Sequence, residues 1–175
     1  LTLVYTTREF QYEGEAFDPT YQFVGPSISS RLNQEPFDFT AIEGGEPIYI
    51  SLGTVFNQAL EFYKLCLEAF GNTRYPIVMS IGHQIRLSDL GEIPENFIVK
   101  HYVPQTDVLQ YAKLFITHGG MNSVHEGLYN GVPLIVIPQS ADQPVIARQV
   151  ANVGAGITLS MQSLTANELR EAADQ

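Results

Sequence analysis

The ten residues from Thr117 to Glu126 read Thr-His-Gly-Gly-Met-Asn-Ser-Val-His-Glu, and they combine the parts of an anion site. An apolar run ends at Thr117. Gly119 and Gly120 lack a Cβ, so the backbone can approach a ligand closely. A helix starting near Asn122 leaves unpaired N–H groups and the positive end of its dipole at that turn, which suits a diphosphate. Ser123 can add a hydroxyl donor. Glu126, one turn further, can accept from vicinal hydroxyls such as those of a ribose. The same segment also has structural readings. Ser-x-x-Glu is the spacing of a capping box, a Gly-Gly turn can serve geometry alone, and His118 can be a hydrogen-bonded structural histidine.

The charge balance says how such an anion must be held. Nine basic against nineteen acidic residues give a net charge of −10. No Lys/Arg run or basic patch is visible, which argues against nucleic acid and anionic membrane surfaces. Backbone amides and helix N-termini must then hold the anion. Other chemistries lack their residues. His125-Glu126 begins like a zincin motif but no later His follows, so no metal is expected. No Gly-x-Ser-x-Gly elbow supports a hydrolase triad. A dinucleotide fingerprint should follow the first strand of the α/β region, where the chain reads Ser51-Leu-Gly-Thr-Val-Phe, and Gly154-Ala-Gly156 precedes a strand instead. His83, His101 and His125 are expected to be structural or exposed. The single cysteine, Cys66, reads as a core residue and permits no disulfide framework. The apolar run at 132–138 is too short to span a bilayer. The N-terminus has neither a basic region nor a cleavage pattern. A cytoplasmic setting is expected.

The elements that must position these residues follow from periodicity. Residues 1–6 and 21–24 are strand-like. Residues 27–46 are polar, with Pro36, Gly44 and Gly45, and read as a linker. From Pro47 on, strands and helices alternate. Strands are expected at 48–52, 77–81, 97–99, 114–117, 134–137 and 156–159. Helices are expected at 56–70, 107–112 behind a Thr106 cap, 123–129 and 143–152. A last helix opens at Thr165 with capping-box spacing to Glu168. This alternation implies an α/β fold, a doubly wound, Rossmann-like parallel sheet with helices on both faces. Ligands of such sheets bind at the carboxyl ends of the strands, near the switch point.

A longer constellation gives these pieces a common meaning. Tyr102-Val-Pro-Gln105, His118-Gly-Gly-Met-Asn-Ser123, Glu126-Gly127, Gly131-Val-Pro133, Pro138 and Asp142-Gln143 recur at fixed spacing. Together they resemble the donor-binding signature of family 1 glycosyltransferases, especially the bacterial macrolide branch, over residues 10–167. The resemblance implies the C-terminal half of a GT-B fold. Residues 1–26 would end an acceptor domain, 27–46 would be the interdomain linker, and 47–175 a C-terminally truncated nucleotide-sugar domain. It implies that Tyr102 stacks on uracil and Val103 contacts the base through its backbone. Gln105 and Glu126 would bind ribose hydroxyls. His118, the backbone from Gly120, Asn122 and Ser123 would hold the diphosphate. Ser51 and Thr54 would approach the phosphates or the sugar, and Asp142 and Gln143 the sugar hydroxyls. Two positions depart from the pattern. Tyr102 stands where Trp is frequent, and Met121 replaces the Trp of plant members.

The implied reaction is metal-independent, inverting transfer from a UDP-sugar, with UDP-glucose favoured. The acceptor would be a hydroxylated small molecule such as a macrolide or flavonoid. The family's catalytic His and its partner Asp lie early in the acceptor domain and have no counterpart in these 175 residues. The chain alone is therefore expected to bind donor without transferring sugar. A nucleotide-sugar-binding regulatory module and a nucleotide-sugar epimerase of the same fold are the alternatives. Asp142-Gln143-Pro144 also has a local reading, as an N-cap with Pro just inside a helix.

Overall fold

The computed structural model describes residues 1–29, 36–53 and 59–175. Thr54 lies outside the described residues, as do Phe56, Asn57 and Gln58 of the expected first long helix. Two short strands, β1 (Thr2–Val4) and β2 (Tyr21–Phe23), pair in parallel at the start of the chain. The main body is a six-stranded, wholly parallel sheet. Its strands are β3 (Ile48–Ser51), β4 (Ile77–Ser80), β5 (Phe97–Lys100), β6 (Leu114–Thr117), β7 (Leu134–Val136) and β8 (Gly156–Thr158). The order is β5-β4-β3-β6-β7-β8, so the chain builds outward from β3 on one side and then returns to β3 with β6 on the other. The β3/β6 pair is the switch point, and its register sets Ser51 beside Thr117.

Both faces of this sheet are covered, so its strands read as apolar runs rather than as alternating ones. Alternate residues still divide between two layers. Ile48, Ile50, Ile77, Met79, Leu114 and Ile116 point into one core, and Tyr49, Val78, Phe115, Leu134 and Val136 into the other. Helix α1 (Leu60–Phe70) covers the first layer with Phe62, Tyr63, Cys66, Leu67 and Phe70, a stripe at helical spacing. Helix α5 (Ala166–Ala173) packs beside it through fully buried Leu169. The second layer is closed by α2 (Gln105–Val108), α3 (Met121–Tyr129) and α4 (Gln143–Asn152).

Helix ends follow the sequence where local chemistry is strong and depart from it elsewhere. The capping box of α5 forms as expected, with Glu168 N–H donating to Thr165 Oγ1 and Thr165 N–H to Glu168 Oε2. At α2 the expected Thr106 cap is replaced by Pro104, two residues earlier, and the helix starts at Gln105. A proline fixes φ near its helical value and has no N–H to leave unsatisfied, so it enters a helix without a capping side chain. Thr106 then lies inside α2, with its buried hydroxyl unpartnered.

The stretch expected as a linker is partly packed. Ile42 is buried and Phe37 and Phe39 lie against the second core layer. Phe10 is buried in the same layer, and its carbonyl accepts from Gln149 Nε2 at 3.1 Å. Thr6 Oγ1 hydrogen-bonds His125 Nε2 at 2.9 Å, with Phe10 edge-on to that imidazole at 5.5 Å. His125 is therefore structural, as expected. Among the described residues, no helix is long and apolar enough to cross a membrane.

The α1–α5 contact gives a direct test of packing. Leu169→Ala is expected to lower unfolding free energy by about 2–5 kcal/mol, the usual cost of a cavity of that size. Urea titration showing a loss below about 1 kcal/mol would mean that α5 is not docked on α1.

Candidate functional site

The carboxyl ends of β3, β4, β5, β6 and β7 open into one cleft of about 590 Å³, the size range of ligand pockets. Ser51, Tyr102, Val103, Gln105, His118, Gly120, Asn122, Ser123, Asp142 and Gln143 all line it. Of the other two sequence-derived positions, Thr54 is outside the described residues, and Glu126 sits behind the wall as a partner of Gln105.

His118 leaves β6 and its imidazole reaches across the switch point toward the end of β3, with Nδ1 3.5 Å from Thr117 Oγ1. Its ring is held between two glycines. A Cβ at Gly53 would come within 2.6 Å of its Cε1, and one at Gly120 within 2.5 Å of its Nε2. Gly53 also has φ +80, a left-handed conformation that glycine adopts without strain. Burial holds the His118 imidazole below the ordinary histidine pKa, and the Asp142 carboxylate and the nearby Ser51 backbone oppose that shift.

Helix α3 begins at Met121, with Gly120 as its N-cap and no capping side chain. The Ser123–Glu126 capping box is thus corrected. Ser123 lies within the first helical turn, where its side chain cannot cap that helix. The first N–H groups of α3 stay directed at the cleft, whose wall includes Gly120, Met121, Asn122 and Ser123. Among the described lining residues none is Lys or Arg. The positive potential here comes from backbone dipoles.

The polar wall is internally bonded. Gln105 Nε2 donates to Ser123 Oγ at 3.2 Å and to Glu126 Oε2 at 2.5 Å. Its Oε1 accepts from the phenol of buried Tyr49 at 3.3 Å. Opposite, Gln143 Oε1 accepts from the backbone N–H groups of Gln139 (2.8 Å) and Ser140 (3.2 Å). Gln143 is nearly fully buried and fixes the β7–α4 loop, leaving its amide N–H groups as the part suited to a ligand. Asp142 is the N-cap residue of α4 with Pro144 just inside, as the local reading expects, but its carboxylate makes no cap bond.

The sequence reading missed part of this wall. His83 and His101, expected to be structural or exposed, both line the cleft with ring centroids 5.5 Å apart in a near-parallel stack. His101 Nδ1 also hydrogen-bonds the Gly82 carbonyl at 2.7 Å, tying the β5 loop to the β4 loop. The signal was available in position, since both follow strand ends that a parallel sheet directs toward its ligand.

A wholly parallel sheet with this cleft at its switch point is the C-terminal-domain fold of GT-B glycosyltransferases. The crystal structure of the glycotransferase of kitacinnamycin superposes with a TM-score of 0.88 at 35% identity, covering 98% of this chain and 45% of that one. Residues 64–175 match the family model described as erythromycin biosynthesis protein CIII-like, C-terminal domain, and the chain belongs to that family. It is 47% identical over 171 residues to the uncharacterized UDP-glucosyltransferase YojK of Bacillus subtilis, covering 98% of this chain and 42% of that protein. It is 34% identical over 175 residues to the oleandomycin glycosyltransferase of Streptomyces antibioticus, covering 98% and 40%. The chain thus spans less than half the length of the curated relatives it matches.

The glycine cradle around His118 can be tested directly. Gly120 has an ordinary φ of −62, so Gly120→Ala acts through the added methyl and not through backbone strain. It is expected to displace the imidazole and cost about 1–3 kcal/mol of stability. Unchanged His118 ring resonances in NMR spectra of the variant would show that the ring does not rest on Gly120.

Proposed function

We propose that this chain binds a UDP-sugar, UDP-glucose in preference, as the donor half of an inverting glycosyltransferase acting on hydroxyls of small molecules such as macrolides or flavonoids. The observation that carries this is the uncapped N-terminus of α3, flanked by His118 and Ser123, at the mouth of a cleft whose described lining residues include no Lys or Arg. Such a terminus binds a diphosphate through its N–H groups and dipole. The names of the relatives, an uncharacterized UDP-glucosyltransferase and an oleandomycin glycosyltransferase, support the donor and the acceptor class respectively.

In this reading Tyr102 stacks on the uracil and the Val103 backbone meets its edge. The Gln105–Glu126 pair faces the ribose. His118, Gly120, Asn122 and Ser123 hold the diphosphate, with Ser51 and Thr54 beside it. Asp142 and Gln143 meet the sugar hydroxyls. Residues 1–26 belong to the end of the acceptor domain, 27–46 to the connection and 47–175 to the donor domain. Charge developing on the departing diphosphate is stabilised by dipoles already oriented toward it. A base for the acceptor hydroxyl must be within hydrogen-bond reach of it. In this reading His118 is occupied by the diphosphate and Asp142 by the sugar, so the base and the second wall of the acceptor site come from the other domain.

Calorimetry with UDP and UDP-glucose tests the assignment. Ser123→Ala is expected to weaken both by about 1.5–3 kcal/mol, ten-fold or more. Asp142→Ala is expected to weaken UDP-glucose much more than UDP. Residues 1–175 alone should transfer no glucose to a phenolic or macrolide acceptor. Wild-type affinity in Ser123→Ala would remove the diphosphate assignment, and measurable transfer by the chain alone would place a base within it.

The pH dependence carries a sign of its own. The free His118 titrates below the ordinary histidine value of about 6.5. A diphosphate beside it favours the imidazolium and raises its pKa in the complex. Binding then takes up protons, so affinity rises as pH falls from the pKa of the complex to that of the free chain. The pyrophosphate of UDP-glucose does not ionise in this range, unlike the terminal phosphate of UDP. Affinity for UDP-glucose is expected to increase between pH 7.5 and about 6 and to be flat in His118→Gln. An equal slope in that variant would exclude His118 from the diphosphate site.

A further inference from the structure

The cleft contains a chain of hydrogen bonds whose direction can be worked out atom by atom. It begins at Tyr49, in the middle of β3, buried to 1% exposure and stacked on Phe115 at 4.9 Å with planes 17° apart. That stack and the surrounding core leave the ring no freedom to turn away. Burial pushes the phenol well above its ordinary pKa, with the Ser51 hydroxyl offsetting part of the rise, so Tyr49 stays a neutral O–H donor. It donates to Gln105 Oε1 at 3.3 Å.

Gln105 has one acceptor oxygen and two N–H donors. A carboxylate only accepts, so the amide nitrogen must face Glu126, and the oxygen must face Tyr49. One N–H goes to Glu126 Oε2 and the other to Ser123 Oγ. Ser123 Oγ, already accepting, keeps its own proton to donate. In a helix interior that proton commonly returns to the carbonyl four residues earlier. Here the bond from Gln105 is the one Ser123 makes, and its side chain lines the cleft. The hydroxyl proton is therefore directed at the place where the first N–H groups of α3 converge.

We infer that Tyr49 is a positioning residue for donor binding, acting through Gln105 to orient the Ser123 hydroxyl as a donor to the diphosphate. It touches no part of the donor in this account. Its single hydroxyl locks the Gln105 amide against a flip. A flipped amide would present its oxygen to Glu126 and Ser123, repelling the carboxylate and drawing the serine proton inward, away from the anion. The inference rests on the proposed diphosphate site, and it adds a dependence of that site on a core residue of β3 which does not contact ligand.

The test is a double-mutant cycle on the whole chain with UDP as the probe, read by calorimetry and by NMR of the Gln105 side-chain amide. Tyr49→Phe removes one oxygen and keeps the aromatic stack. It is expected to weaken UDP about five-fold, the size of one neutral hydrogen bond. In a Ser123→Ala background the same change is expected to have less than a two-fold effect, because no serine proton is left to orient. Without ligand, the Gln105 amide resonances should shift and exchange faster with solvent in Tyr49→Phe. A purely structural role predicts equal losses in both backgrounds, and that result overturns the inference. So does an unchanged Gln105 amide, whatever UDP does. If the wild-type chain does not bind UDP at all, the donor reading itself fails and the inference with it. If UDP binds but the cycle is additive, the donor reading stands and the Tyr49 relay alone is wrong. If Tyr49→Phe lowers the melting temperature by more than about 4 °C, the cycle is repeated at a temperature where every variant is fully folded, and additivity there overturns the inference equally.

Discussion

The His118 imidazole crosses from the end of β6 toward the end of β3, the two strands at which the sheet reverses its order, and rests against Gly53 and Gly120. Much of the cleft is arranged around that crossing. It requires residues without a Cβ on both sides of the ring, which accounts for Gly53 and Gly120. Gly120 in turn serves as the N-cap of α3, and lacking a side chain it leaves the first amides of the helix uncovered. The neighbouring Gly119, at φ +86, lets the chain turn over Val136, where a Cβ would come within 2.6 Å of that side chain. Ring, turn and open helix end are three consequences of one steric arrangement.

The two layers of the sheet divide the work of packing and polar contact. One layer is plain hydrophobic packing under α1 and α5. The other is apolar in its interior and polar at its upper rim, where Tyr49, Gln105, Ser123 and Glu126 join β3, α2 and α3 by hydrogen bonds. Buried polar groups cost free energy unless paired, and here they pair with one another. The side chains of the rim are therefore held in place by one another.

Much of this was legible in the residues. The strand–helix alternation from Pro47, the two-face burial of runs such as Leu134–Val136 and the Thr165–Glu168 cap are local signals, and local signals set those elements. Where the sequence misled, a long-range contact decided. Ser123 and Glu126 have capping-box spacing, but Gln105, from a different helix, engages both side chains, and the helix begins two residues before Ser123. His83 and His101 were assigned bland roles because neither has a partner within its own segment. Only the pairing of β4 with β5 brings their rings together. Ile42 and Phe10 look like loop residues because their apolar neighbours in space lie far away in sequence.

The strand order also governs how the domain can assemble. Strand β3 is central, yet one of its two neighbours, β6, is made only after β4, α1, β5 and α2, with Ile48 paired to Leu114. During synthesis the first half of the sheet therefore carries an open edge along β3. That edge is four residues long, buried on both faces in the finished fold and without a charged side chain to discourage pairing with another chain. Closure waits for residues 114–117, and α5 then seals the structure from more than a hundred residues downstream, where Arg170 donates to the Ala69 carbonyl. A sheet wound outward in both directions from one strand gains a ligand crevice where the winding reverses. The same reversal makes folding slow and non-local, with the crevice completed only when the second half of the chain has emerged.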